Sequence, residues 1–195
     1  MSRGRMEAFS DGCLAIFITV ILLTFKIPQG DQFADLVPLI PSFLCYGLSF
    51  LTIGVYWLNH HHLLHTVEKV TPGILWANLV WLFCISMISF ATAWTGQRSF
   101  APHTVCFYGF VMIACLASYM ILQRAIIRDQ SRCADGVCSI SRLRVALGER
   151  IKERLTLAAM IIGTMLAFFM PRAAMFCYAA GMLLWLIPDR RIEKL

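Results

Sequence analysis

Two short stretches carry side chains that an otherwise apolar sequence has little use for. Near the start, RGRMEAFSDG places Arg5, Phe9, Ser10 and Asp11 directly before an uncharged run from Gly12 to Phe25. Further on, YWLNHHHLLH holds Asn59, His60, His61, His62 and His65 at the end of another apolar run. A carboxylate drawn into an apolar segment has to be met by donors or by positive charge. In a membrane-crossing segment such a group marks an interhelical tie or a path for ions or protons. His61 and His65 are four apart, a helical spacing able to hold zinc. An H-E-x-x-H protease needs a glutamate between its histidines, whereas here His62, Leu63 and Leu64 intervene and Glu68 is the nearby acid in sequence. No resident metal or other cofactor is therefore expected.

The elements that must position these groups follow from composition. Of 195 residues, 59% are hydrophobic and 14% charged, with a mean hydropathy of +0.71. Soluble domains are roughly a quarter charged, so the chain reads as a membrane protein. Its uncharged runs predict a single all-α integral membrane domain over 1–195. Its six transmembrane helices are expected at about 8–25, 40–65, 74–96, 103–123, 155–170 and 173–188. No small-residue cleavage site follows the first run, so it is expected to stay as a span. Turns are expected at the proline-bearing connector PQGDQFADLVPLIP, near Pro72-Gly73, at Gly96 to Pro102 and at Pro171-Arg172.

Charge placement orients the chain. If the N-terminus faces the cytoplasm, the outer segments hold only Lys26, Arg98 and Arg172. The other fourteen of the 17 lysines and arginines then lie inside, a positive-inside pattern that predicts both termini cytoplasmic. The formal charge of +6 thus points to topology and lipid rather than to nucleic acid. The largest basic stretch, 124–154, reads as a cytoplasmic loop. Within it Arg124, Arg128 and Arg132 repeat every four residues, but past the apolar run. They suit a lipid-facing helix rather than a voltage sensor, whose charges must sit in the field. The eight cysteines lie mostly in apolar runs, where they pack as small hydrophobes. Cys133 and Cys138 match no common zinc or redox spacing.

Arg5 and Phe9 share a helix face, but Arg5 and Asp11 lie about 240° apart around the helix and are poorly placed to pair within it. The partners of Asp11 are expected on another helix. Asn59 and His60 or His61 are the candidates, since their span ends on the same side. Alternatively Asp11 caps its own helix, where negative charge is favoured. Farther along, Ile16, Val20 and Leu23 form one stripe about 10.5 Å long, with Thr19 at its border.

The motif Arg5-x-x-x-Phe9-Ser10-Asp11 resembles the hallmark of the transmembrane protein 175 family of potassium channels, R-x-x-x-F-S-D at the start of the first helix. Tyr56-Trp57-Leu58-Asn59-His60-His61 is similar to the Asn-His segment of that family, and the six-span layout covers essentially the whole chain. The resemblance implies a homotetrameric, potassium-selective channel with K⁺ as permeant ion; a short chain without a targeting segment fits the plasma membrane as its expected location. It also implies that the first helix lines the pore, with Ile16, Val20 and Leu23 as an aliphatic constriction and Thr19 as the threonine implicated in selectivity. Valine at 20 is smaller than the leucine common in relatives. The T-V-G-Y-G carbonyl filter of ordinary potassium channels is absent, so selectivity has to come from the constriction and the threonine hydroxyls.

Two other classes fit parts of the sequence. A proton-conducting or proton-coupled transporter would use Asp11 and the histidines, but inverted repeats and broken midplane helices are lacking. A zinc-dependent membrane protein would use His61 and His65. An enzyme is not expected, because the chain holds no P-loop, dinucleotide fingerprint or serine elbow.

Overall fold

Helix α1 starts at Arg3, earlier than the apolar run alone predicts, and continues to Leu23, where the Thr24 hydroxyl donates to the Ile21 carbonyl at 2.6 Å. The sequence from Arg3 to Asp11 holds no proline or β-branched residue to oppose this extension. Asp11 therefore lies eight residues beyond Arg3, more than two turns inside α1, and does not cap it.

The structure, a computed structural model, describes residues 2–67, 69–133 and 150–185. Among these it forms α1 (Arg3–Leu23), α2 (Ile40–His65), α3 (Pro72–Gln97), α4 (Pro102–Cys133), α5 (Arg150–Leu166) and α6 (Pro171–Leu183), with a 3-10 turn at Phe33–Leu39 before α2 and no strand. Four helical segments are long and apolar enough to cross a membrane: Arg3–Leu23, Phe33–His65, Pro72–Gln97 and Pro102–Asp129. Helix α5 begins earlier than the expected fifth span, taking in Lys152, Glu153 and Arg154. With 17 residues, and 13 in α6, these two helices fall short of the roughly 20 that a bilayer core needs. Helix α4 carries Arg124 and Arg128 as a continuation of its own length, so the basic stretch begins as helix rather than loop. Cys138, Glu68 and most of the basic stretch lie outside the described residues, as do positions 186–188 of the expected last span.

Prolines set the helix starts. Pro41, Pro72, Pro102 and Pro171 fall in the first turns of α2, α3, α4 and α6, where the missing N–H is not needed. Thr71 caps α3, its hydroxyl accepting from the Ile74 N–H at 3.4 Å and donating to Asp129 of α4. The tight turn between α3 and α4 puts Ser99 and Phe100 at φ 49° and 64°, left-handed values that non-glycine residues seldom adopt.

Helix α3 is the centre of the packing. It lies against α1, α2 and α4, while α5 and α6 pair with each other and with α4. Its Trp81 is fully buried between Tyr56 of α2 and Tyr119 of α4, at ring distances of 6.1 and 5.9 Å. Buried hydroxyls add directional ties: Ser49 of α2 bonds Thr92 of α3 at 2.6 Å and Tyr108 of α4 at 2.9 Å. Gly96 lets α3 close on α2, because a Cβ there would meet the Ser42 Cα at 2.7 Å. Lipid is as apolar as these side chains, so such close packing and interhelical hydrogen bonds, rather than water exclusion, hold membrane helices together.

Candidate functional site

The polar residues singled out at the N-terminal end of α1 meet α2 and α3 in three layers. The innermost is dry. Asn78 of α3 donates through Nδ2 to the Ser10 hydroxyl at 2.9 Å, and Ser10 donates in turn to the Met6 carbonyl at 2.9 Å. The Asn78 Oδ1 faces His60 Nε2 at 2.8 Å. Because that oxygen only accepts, Nε2 carries the proton. The His60 ring stacks on Trp81 at 4.6 Å with a tilt of 16°. Ser10, His60 and Asn78 are all essentially inaccessible to solvent.

Asp11 forms the second layer. Its Oδ1 accepts from the indole N–H of Trp57 at 3.0 Å. Asn59, the sequence candidate for that role, instead donates to the Val55 carbonyl of its own helix at 2.8 Å. The correction is one of helix rotation. Residues 57 and 59 lie about 200° apart on α2, and the Trp57 side faces Asp11.

The third layer is open to solvent. Glu7 Oε1 lies 2.8 Å from His61 Nδ1, and His61 Nε2 lies 3.1 Å from His65 Nε2. Arg3 donates to the His65 carbonyl at 3.3 Å. The i, i+4 histidine pair read from the sequence is thus in contact, and a carboxylate from α1 has joined it.

Arg5 and Phe9 turn away from these layers and are exposed. They begin a stripe that runs the length of α1: Arg5, Phe9, Gly12, Ile16, Thr19 and Leu23, spaced by alternating fours and threes and exposed throughout. Val20 flanks it. Ile16 is 58% exposed, Val20 39% and Leu23 83%. The Thr19 hydroxyl donates back to the carbonyls of Ala15 and Ile16 at 3.1 and 3.0 Å, which uses its proton and leaves oxygen lone pairs free.

Helix α3 holds the opposite face at three heights. Besides Asn78 on Ser10, Ser89 donates to the Phe17 carbonyl at 2.9 Å and Gln97 to the Thr24 carbonyl at 3.1 Å. Asn78, Ser89, Gln97 and Trp57 escaped the sequence reading. The one available signal was a lone asparagine within the otherwise apolar third run, since an isolated polar group in a span has to find a partner.

Comparison with known proteins follows this geometry. A family model described as the endosomal/lysosomal potassium channel TMEM175 matches residues 5–88, from the motif arginine to the middle of α3. The chain is 44% identical over 194 residues to a potassium channel of Chryseobacterium sp. (strain P1-3), covering all of this chain and 97% of that one. It is 32% identical over 157 residues to a potassium channel of Streptomyces collinus, covering 74% of this chain and 76% of that one. The crystal structure of a lysosomal potassium-selective channel TMEM175 homolog from Chamaesiphon minutus shares the fold. Its TM-score is 0.78, at 23% identity over 94% of this chain and 96% of that chain.

Proposed function

The chain belongs to the TMEM175 family, and on that premise we propose that it is a potassium channel whose pore is walled by α1 from four copies of the subunit. The family is one of ion channels, not enzymes, and the chain is a multi-pass membrane protein. K⁺ passes down its gradient along the α1 stripe. Ile16, Val20 and Leu23 form rings wide or narrow enough to admit or exclude water, and a narrow apolar ring gates by dewetting. Thr19 offers hydroxyl oxygen to the ion between them. Arg5 and Phe9 lie at the stripe's N-terminal end, while Ser10, Asp11, His60 and His61 tie α1 to its neighbours. Asn59 supports α2 rather than the tie.

The observation that carries this reading is the two-sidedness of α1. One face is pinned by α3 at three heights and the other presents a continuous stripe, free within the subunit, that contains Ile16, Thr19 and Leu23 with Val20 at its flank. One helix cannot enclose a conduit, and closed rotational symmetry supplies the other walls. In the same reading the chain forms one six-span domain, with α5 and α6 as the last two spans, in the plasma membrane with both termini cytoplasmic. The positive-inside count supports that orientation.

The test is K⁺ flux from proteoliposomes loaded with a potassium gradient. Wild type conducts without added metal, Ile16→Asn changes the flux, and Thr19→Ala lowers the preference for K⁺ over Na⁺. Equal flux in wild type and both variants would remove α1 from the pore.

A further inference from the structure

The solvent-open layer holds more than an interhelical tie. Three side chains from two helices bring ligand atoms within 4.8 Å of one another: the Glu7 carboxylate and the imidazoles of His61 and His65. An ionised carboxylate only accepts, so the Nδ1 of His61 that faces Glu7 at 2.8 Å carries the proton in the neutral ring. Its Nε2 is then left with a lone pair, directed at His65 Nε2 at 3.1 Å. Zinc–nitrogen bonds of about 2.0–2.1 Å in a tetrahedral shell place neighbouring ligand atoms about 3.3 Å apart, close to the spacing of these two nitrogens. A histidine that gives one ring N–H to a carboxylate while its other nitrogen binds metal is the common supporting arrangement of protein metal sites.

We propose that His61 and His65 bind a divalent transition metal of the zinc class, with Glu7 of α1 orienting His61, so that binding strengthens the Glu7–His61 clamp between the N-terminal end of α1 and the C-terminal end of α2. This reverses the sequence expectation of no metal. The acid beside the pair comes from a residue 54 positions before His61, on another helix. Binding needs no redox step. His65 moves its ring proton to Nδ1 and both imidazoles stay neutral. Water fills the remaining positions, since both histidines are exposed. Imidazole donors select Zn²⁺, Ni²⁺ or Cu²⁺ over Mg²⁺, Ca²⁺ or K⁺, so the permeant ion does not compete. Arg3, held on the His65 carbonyl at 3.3 Å, is the like charge that moderates affinity.

Control of conduction by this clamp rests on the reading of α1 as the pore helix, whereas the site itself does not. Calorimetric titration of the full-length protein in detergent with Zn²⁺ separates the two. His65→Ala is expected to abolish the binding, Glu7→Gln to weaken it about 10- to 100-fold, and excess Mg²⁺ to leave it unchanged. No zinc uptake by wild type, or uptake that persists in His65→Ala and so belongs to the cysteines or other histidines, overturns the site. Uptake unaffected by Glu7→Gln overturns the clamp between helices. In proteoliposomes, Zn²⁺ on both faces is expected to change K⁺ flux in wild type and not in His65→Ala. Zinc bound with flux unchanged overturns the control of conduction and leaves both the site and the channel standing.

Discussion

Between residues 6 and 11, α1 spends its polar groups on its own subunit: Ser10 reaches Asn78 of α3 and Asp11 reaches Trp57 of α2. Between 16 and 23 the same helix directs Ile16, Thr19, Val20 and Leu23 outward, where the subunit offers them nothing. The two regions differ in the penalty for being left alone. A buried amide or imidazole nitrogen without a partner costs about 1–3 kcal/mol, and for the Asn78 amide and His60 Nε2 that demand is met within the subunit. An aliphatic side chain carries no such demand in lipid, in water-poor pores or against a copy of itself. The polar end therefore fixes where α1 stands and the apolar face is free to serve whatever lies beyond. Asp11 is accepted near the membrane because it belongs to the first region.

Breaking the polar end is expected to give the largest effect. Asn78→Leu leaves His60 without its described Nε2 partner and removes the bond to Ser10, a loss of about 2 kcal/mol that lowers the thermal midpoint in detergent. An unchanged midpoint would mean that the dry layer does not hold α1. On the opposite face, Ile16→Asn leaves the midpoint nearly in place and raises K⁺ flux about tenfold, equivalent to about 1.4 kcal/mol off the barrier. A variant that destabilises the protein without altering flux would exchange the roles of the two regions.

Finer contrasts sharpen the comparison. A double-mutant cycle between Asp11 and Trp57, using Asp11→Asn and Trp57→Phe, should give a coupling of about 0.5–1 kcal/mol. The corresponding cycle between Asp11 and Asn59 should give none, because Asn59 is bonded to Val55. Equal coupling in both cycles would replace the Trp57 contact with a wider network. Thr19→Ala is expected to move stability least, by under about 0.5 kcal/mol, since the residue is exposed and its hydroxyl serves only its own helix. Its effect belongs in the K⁺/Na⁺ flux ratio.

Much of this was legible before any coordinates. Apolar runs located α2 and α3 within a few residues, whereas α4 continues ten residues past its expected end as a charged helix. The stripe read from the sequence held Ile16, Val20 and Leu23 with Thr19 at its border, and the structure exchanges Val20 and Thr19. The early start of α1 was not legible, because hydropathy weighs Arg3, Arg5 and Glu7 as breaks although their backbones are good helix formers. Helices α5 and α6 overlap the runs expected as spans at 155–170 and 173–188, but charged residues at one end and a proline at the junction moved their limits. The candidate partners of Asp11 were right in helix and wrong in residue.

The sequence by itself determined that this chain is helical and membrane-embedded, that α1 carries an acid below an aliphatic stripe, and that His61 and His65 share a face. These properties depend on composition and on a fixed period of about 3.6 residues, both local. Only the tertiary structure decided that Trp57 rather than Asn59 meets Asp11, that Asn78 completes the dry layer, and that Glu7 arrives beside the histidines. Each of those pairings depends on how far one helix is rotated and slid against another. A shift of a single residue turns a side chain by about 100°, so the choice of partner belongs to the packing of the whole bundle.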